Sequence, residues 1–170
     1  MLNDLLVGGL HVYLLLMKYI FNPDFIDFFK ALNDANVRYL LVGGYAVVLH
    51  GYNRTTGDLD IWVEQTRENH QKLLKGFTEF KIPLTAIEES DFMGNTGMDV
   101  FTLGRPPVAI DIMTAVKGLD FHKAYELSST IQTSGVPVRL LDLNSLIAAK
   151  SASGRHKDLD DIEHLTENTE

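Results

Sequence analysis

The chain has 170 residues, a formal net charge of -8 and no cysteine. Its 45% hydrophobic and 22% charged residues are typical of a globular protein, so we expect one domain and no wholesale disorder. The missing cysteine excludes disulfides and thiolate metal sites. The acidic balance argues against a broad nucleic-acid-binding face, because such faces neutralise phosphates with clustered Lys and Arg.

The first apolar segment, residues 7–16, is shorter than the about twenty residues that a membrane-spanning helix needs. No positive charge precedes it and no small-residue cleavage pattern follows, which indicates a cytoplasmic protein without a secretory signal. Met17 stands just before a well-formed domain start. This position suggests that residues 1–16 are an extension outside the fold and that residues 17–170 form a single domain.

The first predicted helix begins with helix-start signals. Asn22 has an N-cap side chain, Pro23 suits the first helical position, and Asp24 makes the first turn acidic. Apolar residues then recur at helical spacing, at Phe25, Phe28, Phe29 and Leu32. The pattern predicts a helix with one buried face that ends within residues 33–36.

A glycine pair divides the next two elements. The short apolar run before Gly43 and Gly44 predicts a buried strand that enters a tight turn. Farther along, Leu73, Leu74 and Phe77 share one helical face able to cover a sheet. The predicted elements of this part are strand 39–42, short helix 45–50, strand 59–63 and helix 68–80.

The second half of the chain continues to mix strands and helices. Residues 88–97 are polar and contain glycine, which predicts a loop able to border a site. The further predicted elements are a hairpin of strands 98–103 and 108–113 joined by 104–107, helix 120–128, strand 136–141, and helices 143–153 and 157–165. This order predicts an α/β or α+β fold with a mixed sheet flanked by helices.

Residues 40–64 contain the first chemical signal. Glycine at 43 and 44 lets the backbone approach a ligand closely, and the helix that follows presents free N–H groups to an anion. The same letters, LLVGG, also occur at residues 5–9, so a glycine pair is weak evidence by itself. Only the second copy is followed by paired carboxylates, which come after thirteen intervening residues, 45–57.

Those carboxylates are Asp58 and Asp60, which alternate with apolar residues on a predicted strand and therefore project from the same face. Asp111 has isoleucine on both sides, so its strand is half buried with the carboxylate on the polar face. Neighbouring carboxylates repel each other, and hard oxygen ligands suit Mg²⁺ or Mn²⁺. Three of them are able to hold two ions about 3.5 to 4 Å apart.

Each of these features also has a structural explanation when it stands alone. An Asp-x-Asp on a strand is more often a solvated face, and a glycine pair after a strand is usually only a turn. Their conjunction in one chain favours the functional interpretation: a glycine pair, paired acids, and a third acid on another strand.

This conjunction resembles the signature of the nucleotidyltransferase superfamily that includes DNA polymerase beta. Arg54 to Asp60 fit the Arg-x-Thr-x-Asp-x-Asp pattern of the small bacterial nucleotidyltransferases grouped with AbiEii-type toxins, and residues 147–165 resemble their late lysine and Arg/Lys-Asp element. The resemblance implies a metal and phosphate site formed by Gly43, Gly44, Asp58, Asp60 and Asp111. It also implies Lys150 and Asp158 as a supporting pair.

Helical spacing also singles out Lys150, independently of the family resemblance. It lies at helical spacing after Leu143, Leu146 and Ile147, so it continues an apolar stripe. It either contacts a triphosphate, with Asp158 orienting it or taking a proton, or packs its stem on the core with the ammonium in water. Residues 155–157, Arg-His-Lys, either face the phosphates or form a solvated turn.

Several other side chains have weaker claims. Tyr45 and Arg54 are candidates for lining the pocket. Trp62 alternates onto the acidic face, where we expect it to pack on the sheet rather than beside a nucleotide. The histidines at 50, 70, 122 and 164 have no metal-ligand spacing, so we interpret them as structural.

The leading hypothesis is an enzyme that transfers a nucleoside monophosphate from an NTP such as ATP to an acceptor hydroxyl, with two Mg²⁺ or Mn²⁺ ions and release of pyrophosphate. A catalytically silent binding or regulatory module is the alternative. A nucleotide-sugar glycosyltransferase is a third, which the length and the glycine pair disfavour. By the resemblance, the acceptor is an RNA, a small molecule or a protein, and a toxin–antitoxin partner is conceivable.

Overall fold

The computed structural model describes residues 20–94, 96–105 and 108–167. The predicted extension at residues 1–16 lies outside this part, so the extension and the domain start at Met17 stay predictions. Among the described residues, no helix has the length and apolar character needed to cross a bilayer.

Six strands and seven α-helices form the described part of the chain. In chain order they are α1 Pro23–Asp34, β1 Tyr39–Leu41, α2 Gly43–Leu49, β2 Leu59–Val63, α3 Arg67–Glu79, α4 Glu89–Phe92, β3 Val100–Arg105, β4 Val108–Met113, α5 Phe121–Leu127, β5 Ser129–Thr133, β6 Val136–Leu140, α6 Leu143–Ser153 and α7 His156–Glu167. A single 3₁₀ turn, Leu84–Ala86, precedes α4.

The strands form one mixed sheet in the order β3-β4-β2-β1-β6-β5. Strand β1 is antiparallel to β2 and parallel to β6, while β2 is parallel to β4. The pairs β3–β4 and β5–β6 are antiparallel hairpins. The predicted mixed sheet flanked by helices is therefore confirmed, and β2 lies in its interior.

Helix α1 shows why the sequence folds in this way. The Asn22 side chain accepts a hydrogen bond from the Phe25 N–H at 2.9 Å, which caps the first turn. Phe25, Phe28 and Phe29 are fully buried. Each buried phenylalanine side chain contributes about 1.5–3 kcal/mol to folding, so this face anchors α1 in the core.

Two predicted elements need correction, and one strand was not predicted. The predicted loop 88–97 contains the helix α4, because Phe92 is buried against His70 and its carbonyl accepts a hydrogen bond from Gln65. The short helix predicted at 45–50 begins earlier, at Gly43. Strand β5 was not predicted, because it is a largely exposed edge strand whose polar sequence lacks apolar alternation.

Candidate functional site

Two of the predicted site carboxylates lie side by side. Asp60 and Asp111 are register partners across the parallel pair β2–β4. Asp58 is exposed and directly precedes β2, two residues before Asp60. On the opposite face of β2, Leu59 and Ile61 are fully buried, so the alternation of the strand fixes the direction of the acidic side chains.

The environment of Asp60 disfavours its ionised form. Burial raises its pKa, and the negative charges of Asp111 and Asp58 raise it further. The Gly44 N–H and the charge of Lys150 act in the opposite direction, and the resulting pKa is about 6. Asp60 therefore lies within electrostatic reach of both Asp58 and Asp111.

The glycine pair packs directly on this carboxylate. Gly43 has φ +63°, and a β-carbon at this position would overlap the Asp60 carboxylate. The Gly44 N–H donates to Asp60 Oδ2 at 3.3 Å, and a β-carbon at Gly44 would overlap the Thr56 hydroxyl. Gly43 is therefore required for its left-handed backbone and for its close approach to Asp60. Gly44 is required for close approach alone.

Asp111 has a partner that the sequence did not reveal. The Thr102 hydroxyl of β3 donates a hydrogen bond of 2.6 Å to Asp111 Oδ1. The two residues are register partners across the β3–β4 hairpin. Thr102 therefore orients the Asp111 carboxylate. Thr102 can be recognised as this partner only from the strand register.

The donor chemistry of the three aspartates fits a hard divalent cation, because the oxygens are carboxylates whose mutual repulsion a cation would relieve. The side chains are not arranged as a finished coordination shell. Over residues 20–94, 96–105 and 108–167, no three His, Asp or Glu side chains are grouped closely enough to hold a metal ion.

Lys150 is buried, as its position in the apolar stripe predicted, with its side chain 8% exposed. Its ammonium lies 2.9 Å from Asp158 Oδ1 and 2.6 Å from Asp161 Oδ2. Both carboxylates are buried on α7. The lysine is thus held by two acids rather than extended into water.

Asp158 lies at the centre of an ion-pair network. Burial acts to raise the pKa of Asp158, but hydrogen bonds from Arg155, Lys150 and Ser153 outweigh burial and hold that pKa well below its usual range. The hydrogen bond with Asp158 in turn raises the pKa of Arg155. At neutral pH Asp158 and Arg155 are therefore ionised.

Asp161 is the main member of the site that the sequence analysis missed. Its side chain is fully buried, and Arg54 Nε lies 2.7 Å from its Oδ1. A signal was present: Asp158, Asp161 and Leu165 follow helical spacing, and all three are buried. The argument that singled out Lys150 on α6 would have identified this acid on α7.

The two candidate pocket residues are both packed. Tyr45 is 7% exposed and its ring contacts Phe21 and Phe25. Burial first, and then the charge of Asp58, raise the pKa of its hydroxyl, so the hydroxyl lies within the field of the acidic site. Arg54, held by Asp161, keeps its side chain 11% exposed.

The contacts of Trp62 and of residues 155–157 show which structural roles these candidate site residues have. Trp62 is buried, donates to the Thr114 carbonyl and packs edge-on against Phe121, so it covers the sheet as expected. Arg155, His156 and Lys157 are exposed at the start of α7. Among them Arg155 turns back to Asp158 at 2.7 Å.

Comparison with known proteins identifies the family of the chain. Residues 25–167 match the model of a family described as "Nucleotidyltransferase of unknown function (DUF6036)". The chain belongs to this nucleotidyltransferase family. The predicted membership of the nucleotidyltransferase superfamily and the predicted enzyme class are therefore confirmed.

Two solved structures share the fold of this nucleotidyltransferase. A Thermotoga maritima protein assigned to the nucleotidyltransferases has a TM-score of 0.56 and 15% identity, over 83% of this chain and 89% of that one. The lincosamide antibiotic adenylyltransferase LnuA, bound to lincomycin, has a TM-score of 0.55 and 14% identity, over 86% of this chain and 96% of that one. None of the curated proteins matches the chain.

Proposed function

We propose that the protein transfers a nucleoside monophosphate from an NTP to an acceptor hydroxyl, with release of pyrophosphate, and that it requires two Mg²⁺ or Mn²⁺ ions. The observation that carries the proposal is the register pairing of Asp60 with Asp111 beside the Gly43-Gly44 turn. The raised pKa of Asp60 supports it, because a bound cation would offset the repulsion behind that shift.

In the proposed reaction, the acceptor oxygen forms a bond to the α-phosphorus as the bond to the bridging oxygen of the β-phosphate breaks. Pyrophosphate leaves, and the hydroxyl proton passes to water or to a carboxylate of the site. Asp58 and Asp60 would hold both metal ions, and Asp111 would bind the one nearer the acceptor. Bound metal supplies charge neutralisation and a lower pKa for the attacking hydroxyl.

The protein's own groups would mainly position the nucleotide. The backbone of the Gly43-Gly44 turn and the Lys150 ammonium would hold the β- and γ-phosphates, while Asp158 holds Lys150 in place. Tyr45 and Arg54 would border the nucleotide. Most of the rate enhancement would come from placement and electrostatic stabilisation, as in phosphoryl transfer generally.

The acceptor is the open part of the proposal. LnuA was solved with lincomycin, which makes small hydroxylated antibiotics one acceptor class to test. The family resemblance adds RNA and proteins, together with a toxin–antitoxin partner protein. The net charge of -8 favours acceptors other than a large RNA.

A catalytically silent nucleotidyltransferase-like module is the second candidate. It is favoured by one observation, that no three acidic or histidine side chains within the described residues are already grouped as a metal site. Such a module would bind an NTP without releasing pyrophosphate.

The test incubates the protein and Mg²⁺ with each of the four α-labelled NTPs, alone, with lincomycin and with a total cell lysate. We expect a labelled acceptor and stoichiometric pyrophosphate with at least one NTP, and neither product with Asp60→Asn or Asp111→Asn. The matched control is Asp27→Asn, which alters an exposed carboxylate on α1 and should retain full activity. Equal labelling by wild type and Asp60→Asn would overturn the proposal.

A further inference from the structure

We propose that Asp161 is a positioning residue that holds Arg54 and Lys150 in place for the β- and γ-phosphates of an NTP. This inference rests on the proposed nucleotidyl transfer and deepens it. In this inference, Arg54 and Lys150 bind the phosphate tail of the nucleotide, and Asp161 on α7 orients both cations.

The burial of Asp161 requires cationic partners. Its side chain is fully buried, and an unpaired carboxylate in such a place is strongly destabilising. The two cations that satisfy it come from distant parts of the chain. Arg54 belongs to the irregular segment between α2 and β2, and Lys150 belongs to α6.

One carboxylate engages both cations at short distances. Arg54 Nε lies 2.7 Å from Asp161 Oδ1, and Arg54 Nη2 donates to Oδ2 at 3.2 Å. The Lys150 ammonium lies 2.6 Å from the same Oδ2. Asp161 therefore fixes the guanidinium and the ammonium relative to each other, which separate partners would not do.

Arg54 lies beside the predicted nucleotide turn, and Lys150 acts electrostatically on Asp60. Arg54 Nη2 is 3.3 Å from the position that a β-carbon on Gly44 would occupy. Lys150 is close enough to Asp60 for its positive charge to lower the pKa of the Asp60 carboxyl. One cation held by Asp161 is thus next to the glycine pair, and the other lies within electrostatic reach of Asp60 in the acidic cluster formed by Asp58, Asp60 and Asp111.

The charges in this cluster do not cancel. Arg54, Lys150 and Arg155 are three cations, whereas Asp158 and Asp161 are two carboxylates. A positive excess beside the acidic cluster is suited to the β- and γ-phosphates.

A purely structural role for Asp161 would be to tie the segment before β2 to α7. Another contact already makes that connection: the Tyr52 hydroxyl donates to Asp160 at 2.9 Å, and its ring stacks on His164 at 4.0 Å. Loss of a structural tie would lower stability without distinguishing between nucleotides. Loss of cation placement would weaken binding of a triphosphate more than that of a monophosphate.

The test measures ATP and AMP binding by calorimetry for wild type, Asp161→Asn and Asp160→Asn, with GTP, CTP and UTP included for wild type to find the preferred base. Asp160 is the neighbouring, exposed carboxylate on the same helix, so it is the matched control. We expect Asp161→Asn to weaken triphosphate binding at least tenfold and monophosphate binding less than twofold. Asp160→Asn should change neither by more than twofold.

Three outcomes overturn the inference. Unchanged triphosphate affinity in Asp161→Asn does so, and so does an equal loss for ATP and AMP, which would indicate a structural role only. If wild type binds no NTP, the proposed function falls as well. If wild type transfers nucleotide while Asp161→Asn keeps its triphosphate affinity, only this inference fails.

A second variant keeps the proposal testable if Asp161→Asn does not fold by circular dichroism. Arg54→Lys retains the positive charge, but a single ammonium cannot replace the two guanidinium nitrogens that contact Asp161. We expect the same selective loss of triphosphate binding. An Arg54→Lys protein with wild-type affinity for ATP would overturn the proposal.

Discussion

Asp60 and Asp111 face each other across two parallel strands, and the Gly43-Gly44 turn packs directly against the first of them. Carboxylates held together at the edge of a hydrophobic core destabilise the protein that contains them. This conflict between the site and the stability of the fold leads to direct tests.

Asp60→Asn should abolish nucleotide transfer and stabilise the protein. The pKa of Asp60 rises from 3.8 to about 6, which corresponds to at most about 3 kcal/mol at neutral pH, and asparagine removes the ionisation. Thermal unfolding in EDTA at pH 7.5 measures the effect, at roughly 2–4 °C for each kcal/mol. Asp27→Asn is the control, and a lower melting temperature for Asp60→Asn would contradict the prediction.

The stability of wild type should depend on pH in a way that Asp60→Asn removes. The folded state binds the proton of Asp60 more tightly than the unfolded chain, so its contribution is fully present below pH 3.8 and is lost as pH rises through about 6. Urea unfolding in EDTA at pH 4.5 and pH 7 should show wild type losing stability relative to the variant. A pH-independent difference between the two proteins would refute this cause.

Gly43→Ala should destabilise the fold and eliminate activity. Alanine at φ +63° is strained, and its β-carbon would overlap the Asp60 carboxylate, so we expect a loss of about 1–3 kcal/mol. Gly57→Ala is the matched control, since a β-carbon there meets nothing within 4 Å. Urea unfolding should place Gly57→Ala within about 0.5 kcal/mol of wild type or above it. Equal losses in the two variants would contradict the prediction.

Lys150→Ala should cost about 3 kcal/mol or more of unfolding free energy, because it leaves Asp158 and Asp161 buried with one cation fewer. Lys72→Ala removes an exposed pair with Glu68 on α3 and should cost about 0.5 kcal/mol or less. Chemical unfolding of both variants measures the difference. Similar losses would mean that Lys150 is solvated in solution.

Much of the fold followed from the sequence because its elements combine periodicity with clear boundaries. Helix α1 has an N-cap and a continuous apolar face, and α6 ends at Gly154, which adopts a left-handed φ of +68°. Strand β5 lacks both signals, since its residues are mostly exposed and its pairing with β6 is a tertiary contact. Helix α4 is only four residues long, too short for a period to appear.

The candidate site was predicted to a similar extent and for similar reasons. Strand alternation was sufficient to bring Asp60 and Asp111 onto one face, and helical spacing was sufficient to bury Lys150. Thr102 and Asp161 depend on strand register and on contacts between distant segments, which one sequence does not encode locally. Their roles, like those of the predicted residues, await the experiments above.

The contact between Arg54 and Asp161 joins residues 107 positions apart. During synthesis, β2 and β4 leave the ribosome before α7, so Asp60 and Asp111 emerge before the acid that holds Arg54 and Lys150. Closing so long a loop slows folding, since its entropy is lost before the contact compensates for it. A ribosome-bound chain would therefore complete the proposed phosphate-binding side of the site only after α7 has emerged.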